Sequence, residues 1–78
     1  MYFVYILKLN NGQYYSGYSS NLKQRVVDHK KGRIDATKNF RPLDLVYYAG
    51  FKTRKLATNF EKYLESSSGF AFRNKHLI

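Results

Sequence analysis

The sequence predicts an α+β domain, a three-stranded antiparallel sheet flanked by helices in the order β-β-α-β-α, with one further short helical segment at the end. Three observations lead to it. Tyr2 to Leu9 is apolar on both parities, the pattern of a strand covered on both faces. A break at Asn10-Asn11-Gly12 and a second β-prone run, Gln13 to Tyr18, make the first segment a hairpin. Two capped, amphipathic stretches then bracket a third apolar run, Leu43 to Phe51.

The hairpin loop decides which tyrosines share a face. A two-residue Asn11-Gly12 turn puts Tyr5 and Tyr15 on opposite faces of the sheet. A three-residue loop, Asn10 to Gly12, makes them diagonal neighbours, with Gly12 in the left-handed position. The sequence permits both, and the three-residue loop is the expectation. Ser19-Ser20-Asn21 supplies caps for a helix over Leu22 to Lys31, stopped by Gly32. Leu22, Val26 and His29 fall on one side of it, with Arg25 at the edge of that stripe. Arg33 to Arg41 reads as a basic loop ended by Pro42. In the third strand, Gly50 marks a bulge or a close approach. Thr53 caps a second helix, Arg54 to about Ser66, with the apolar stripe Leu56, Ala57, Phe60, Tyr63 and Leu64. Ser66-Ser67-Ser68-Gly69 reads as its break, and Phe70 to Ile78 as one or two last helical turns.

Seventy-eight residues allow a single domain, 1–78. At this size folding buries roughly 60% of the unfolded chain's surface, so the core is thin. Eight Tyr and six Phe supply large rings to fill it. The absence of Cys excludes disulfide scaffolds, thiolate zinc sites and thiol catalysis. No G-x-S-x-G turn or Gly-rich phosphate loop is present. Fourteen Lys and Arg against five acids give +9, which implies a polyanionic partner. No run is long enough for a membrane span and none has the flanks of a signal peptide, so a cytoplasmic protein without a membrane partner is expected.

The residues with chemistry to offer are few. Tyr5 and Tyr15 lie ten apart across the hairpin, Arg25 lies ten further on, and His29 one helical turn after it. Glu61 stands on the second helix, and Asn74 and Lys75 near the end of the chain. Phosphodiester hydrolysis needs these types: a proton acceptor for the attacking water, a holder for the phosphoryl charge, and help for the leaving oxygen. Arg25 has the planar fork that grips a phosphate. Glu61 suits Mg²⁺ or Mn²⁺, since a hard cation is content with one carboxylate, waters and substrate phosphate. A tyrosine serves as base if nearby cationic charge lowers its pKa from about 10.

Phe3-Val4-Tyr5 and Tyr15-Ser16-Gly17 resemble the two half-motifs of the GIY-YIG nuclease superfamily. Arg25 and His29 resemble that family's first-helix Arg and His/Tyr pair, and Ala57 to Leu64 its helix with the metal-binding Glu. The likeness spans nearly the whole chain and is closest to small stand-alone bacterial members. It implies a metal-dependent endonuclease acting on DNA with a Tyr base and one metal ion. Carried over by position, Tyr5, Tyr15, Arg25 and His29 are catalytic and Glu61 holds the metal. Gly17, Lys30, Lys31, Arg33, Asn74 and Lys75 are expected to bind substrate. The chain departs from the pattern at Phe3, where the first half-motif has Gly, at Ser16, and at Tyr18, where some members carry Lys.

A second reading is a basic nucleic-acid-binding module with weak or no activity, and a third an RNA- or ribosome-associated protein. Each residue also has a plainer role: sheet aromatics for the tyrosines, a helix-edge His29, a solvated Glu61, a capping Asn74. Arg54, Lys55 and the remaining cations read as a diffuse phosphate-binding surface. The combined spacing, rather than any one residue, favours the nuclease.

Overall fold

A computed structural model describes the whole chain, Met1–Ile78. Its elements are β1 (Tyr2–Lys8), β2 (Tyr14–Ser19), α1 (Leu22–Lys30), β3 (Asp44–Phe51), α2 (Arg54–Glu65) and α3 (Ser67–Phe72), with a 3-10 turn at Lys38–Phe40 and a π-helical turn at Arg73–Leu77. The strands form one antiparallel sheet in the order β2-β1-β3. The doubly apolar strand is therefore central, and Val4 to Leu7 are buried on both faces. The α+β class and the element order are as the sequence predicts.

The hairpin closes through the three-residue loop. The Leu9 amide donates to the Gln13 carbonyl at 2.8 Å, and the Gly12 amide to the Leu9 carbonyl at 3.0 Å. Gly12 has φ of 84°, the left-handed conformation this loop demands. Tyr5 then pairs with Gly17 and Leu7 with Tyr15, so Tyr5 and Tyr15 share a face.

Alternation along β1 divides the core into two layers. Val4 and Ile6 pack against Ala57 and Leu64 of α2, with Tyr14, Tyr18, Tyr47, Phe51 and Phe60 around them. Tyr5 and Leu7 point the other way, against Leu43, Leu22 of α1 and Tyr15. Helix α1 starts from Asn21, whose side chain accepts from the Gln24 amide at 3.2 Å, and α2 from Thr53, which accepts from the Leu56 amide at 3.2 Å.

Two expectations are corrected, and a third, which left two options open, is decided. Leu56 and Tyr63 are exposed rather than part of the packed stripe, because the narrow sheet reaches only Ala57, Phe60 and Leu64. The serine run interrupts the helix for one residue only. Ser66 accepts from the Gly69 amide at 3.1 Å and starts α3, so Ser67, Ser68 and Gly69 are helical. The bulge lies between Ile6 and Leu7 in the β1–β3 pairing. Gly50 is the close approach, lying beneath Phe3 and Met1. No helix is long and apolar enough to cross a membrane.

Replacing Gly12 by Ala adds no clash, since nothing lies within 4 Å of the new Cβ. The cost is that of a left-handed residue, about 1–2 kcal/mol. Urea unfolding of Gly12→Ala is expected to show a lower midpoint at unchanged slope.

Candidate active site

A buried line of hydrogen bonds joins the central strand, α1 and the loop after it. The Tyr5 hydroxyl lies 2.9 Å from His29 Nε2, and His29 Nδ1 lies 2.7 Å from Thr37 Oγ1. Tyr5 is 1% exposed, His29 and Thr37 0%. The local sequence explains each position. Tyr5 alternates onto the α1 face of β1, His29 falls two turns after Leu22 on the inward stripe of α1, and Thr37 sits just before the 3-10 turn. A buried hydroxyl or imidazole without a partner costs about 1–3 kcal/mol, and here each finds one in another element.

Burial holds the Tyr5 phenol well above its ordinary pKa; the neighbouring Tyr15 phenol adds to this, Arg25 opposes it, and Glu61 adds a little more. The condition set for a tyrosine base, a lowered pKa, is therefore not met at Tyr5. Arg25 does act in the lowering direction, but withdrawal from water outweighs it. His29 is pushed below the usual imidazole pKa, first by burial and then by Arg25, against a weaker pull from Asp28. The imidazole is thus neutral near pH 7, with one ring nitrogen free to accept.

Gly17 has a structural task. A Cβ there would lie 2.5 Å from the Tyr5 hydroxyl oxygen and 2.7 Å from its ring carbon, so the phenol rests directly on the backbone of β2. Sequence reasoning expected Gly17 to bind substrate; its contacts show that it also seats Tyr5. The rings of Tyr5 and Tyr15 flank that of His29, at centroid distances of 5.6 and 5.3 Å. Tyr15 is only half buried.

Arg25 is half buried and free of acids: the two ion pairs of the chain are Asp28–Arg33 and Asp35–Lys38. It lines a cleft of about 250 Å³ with Tyr2, Tyr18, Ser19, Ser20 and Arg54. Two guanidiniums and no carboxylate line that cleft, a lining suited to an anion. Arg54 also lies 5.7 Å over the Tyr2 ring, which steadies it. Sequence reasoning gave Arg54 no special place, and it missed Thr37 altogether. Arg54 carries one faint signal, its position straight after the Thr53 cap, at a helix start beside the strand ends.

Glu61 comes from α2, across the sheet from α1, yet its charge reaches the Tyr5 phenol. Its carboxyl is half buried and takes part in neither ion pair. Burial raises its pKa, and Glu65 one turn on raises it further. An unpaired carboxylate in so basic a chain has the charge and the open valence to take a cation. No three His, Cys, Asp or Glu converge anywhere, so a cage of protein ligands for zinc or calcium has no donors. A single half-buried carboxylate suits Mg²⁺ or Mn²⁺, which retain water and substrate ligands.

The other expected substrate contacts are more scattered. Lys30 and Lys31 are exposed at the C-terminal end of α1. Arg33 donates to Asp28 at 3.1 Å and is thereby partly neutralised. Asn74 accepts from Arg73 at 3.2 and 3.0 Å and lines a second cleft with Gln13, Tyr14, Phe70 and Arg73. Tyr14 belongs to the α2 layer, so Asn74 is not brought to Tyr5. Lys75 is exposed beside it.

A family model described as the GIY-YIG catalytic domain matches residues 1–75. The chain is 38% identical over 61 residues to a UPF0213 protein of Listeria welshimeri, covering 77% of this chain and 68% of that one. It is 40% identical over 57 residues to one of Staphylococcus epidermidis, covering 72% and 70%. Its fold is similar to the solution NMR structure of a UPF0213 protein from Bacillus halodurans, with a TM-score of 0.60 and 25% identity over 96% of this chain and 84% of that one.

Two outcomes follow from this geometry. Thr37→Val keeps the shape but leaves a buried imidazole nitrogen unpaired; chemical denaturation is expected to show a loss of about 1–3 kcal/mol, largely restored in Thr37→Ser. Arg54→Ala removes one cation from the cleft; the slope of log affinity for DNA against log salt is expected to fall by about 0.9.

Proposed function

Because the chain belongs to the GIY-YIG family, whose members act on nucleic acid, we propose that it is a divalent-metal-dependent endonuclease hydrolysing phosphodiester bonds in DNA. The observation that carries the reading is the hydrogen-bonded line from Tyr5 through His29 to Thr37, lying within electrostatic reach of Arg25 and Glu61.

A phenol with a raised pKa is a poor free base, since it does not ionise near neutral pH. It is effective as a relay. With Nδ1–H donating to Thr37, His29 Nε2 accepts the Tyr5 O–H. As the attacking water gives its proton to the Tyr5 oxygen, the Tyr5 proton passes to Nε2. The phenol never carries a full charge in its buried setting, and the low pKa of His29 keeps Nε2 vacant beforehand. Tyr15, half buried on the same face, orients the water or the phosphate. Arg25 holds the non-bridging oxygens, and Arg54 a neighbouring phosphate in the same cleft. A hard divalent ion on Glu61, when bound, supplies Lewis-acid stabilisation of the phosphoryl and leaving oxygens. The exposed lysines add affinity without reading bases.

The test is cleavage of labelled single- and double-stranded DNA with Mg²⁺ or Mn²⁺. Tyr5→Phe is expected to lose roughly 10²–10⁴ in rate, and Glu61→Gln to lose metal-dependent activity. Salt-sensitive binding without cleavage would instead support the inactive binding module, and equal cleavage by wild type and Glu61→Gln would overturn the metal role of Glu61.

Glu61 also sets a stability test. Its folded pKa is raised, so the folded state holds that proton more tightly than the unfolded one. The contribution is favourable below the ordinary carboxylate pKa and is lost as pH rises through the raised value. Metal-free Glu61→Gln is therefore expected to melt at a higher temperature than wild type at pH 7, with the difference vanishing in acid.

A further inference from the structure

We propose that Phe3 and Tyr48 form a stacking platform for an unpaired base beside the scissile phosphate, which makes single-stranded or locally opened DNA the preferred substrate. The proposal deepens the nuclease reading and rests on it for the claim that the Tyr5 face meets the nucleic acid.

The platform arises from a departure in the first half-motif, where Phe3 occupies the position of a glycine. Phe3 pairs with Gly50 and Tyr5 with Tyr48, so the alternation of the strands puts all four on one face. The Phe3 ring lies over Gly50, 3.4 Å from where a Cβ would stand, and so leans toward β3. There it meets Tyr48 edge-to-face, with centroids 6.4 Å apart at 64°. On this face the covering layer of the core extends to Leu43 and Leu45 but no further along β3. Val46 and Tyr48 are left 41% and 57% exposed.

Position supplies the occupant. Tyr48 is the cross-strand neighbour of Tyr5, whose hydroxyl rests on Gly17 of the far strand. Two strand spacings, roughly 10 Å, separate Tyr48 from that point, a distance suited to a nucleotide adjoining the one under attack. The net charge of +9 brings a polyanion to the surface, and an exposed, braced aromatic ring on the same face offers a base something to stack on. A base inside a duplex shows its edges in the grooves and keeps its faces within the stack. Only an unpaired base has a free face for Tyr48.

The test needs no metal and no cleavage. In EDTA, a single-stranded oligonucleotide carrying 2-aminopurine and its duplex are titrated with wild type, Tyr48→Ala and Tyr48→Phe. Wild type is expected to quench the single strand and bind it more tightly than the duplex. Tyr48→Ala is expected to weaken single-strand binding about tenfold with duplex binding unchanged, and Tyr48→Phe to keep the wild-type affinity. Equal single-strand affinity of wild type and Tyr48→Ala overturns the proposal. So does a wild-type dimer in sedimentation that Tyr48→Ala dissolves, because the pair is then a contact between copies. The nuclease reading fails separately: stacking that persists with no cleavage in Mg²⁺ overturns that reading alone.

Discussion

The hydrogen-bonded line from Tyr5 to His29 to Thr37 is the constraint on which the rest of the molecule depends. A phenol at the centre of the sheet, 1% exposed, needs a partner for its hydroxyl, and a fully buried imidazole needs two. One contact answers both needs between β1 and α1, and the second ties in the loop that leads to β3. The hairpin must then close in the register that sets a residue without a side chain under the phenol ring. Gly12 at the turn and Gly17 in β2 are two parts of that one requirement.

Around this satisfied interior the charges are left unsatisfied. Arg25 and Arg54 share a cleft without an acid, and Glu61 is half buried without a cation. The chain has acids to spare for Arg33 and Lys38, far less consequential pairs on its exposed surface. A protein arranged for stability alone would put Glu61 beside one of its fourteen cations. In the proposed reading the carboxylate, held apart from the guanidiniums, would take a metal ion and the guanidiniums phosphate. Burial that makes Tyr5 hard to ionise also helps to keep His29 neutral, as the proposed proton relay requires.

Much of this arrangement was legible in the sequence, for physical reasons. The two-faced apolar run could only be a central strand. The period of a helix forces Arg25 and His29 onto one side, and an Asn-Gly break with flanking β-formers leaves two loop lengths to weigh. What stayed hidden depends on distance in space. Thr37 is a single hydroxyl in a basic loop, and nothing nearby in sequence says that it meets an imidazole eight residues back. Arg54 looked like one cation among many because the cleft it completes is built by the strand ends. The rise of the Tyr5 pKa stayed hidden because cations can be counted in the sequence, whereas burial cannot. Asn74 was placed by its position near the end of the chain, but the restart of the helix at Ser67 carries it to the α2 layer. Phe3, a mere exception to a motif in the sequence, acquires a meaning only beside Tyr48.

The central claim is that residues from β1, β2, α1 and α2 form one site for a scissile phosphate and a single metal ion. The most direct measurement is an anomalous difference map from crystals soaked in Mn²⁺. The account predicts one peak bonded to a Glu61 carboxylate oxygen, on the side of the protein where Tyr5, Tyr15 and Arg25 gather. A peak on another acid with Glu61 bare, or a Glu61-bound ion facing away from both tyrosines, would contradict it.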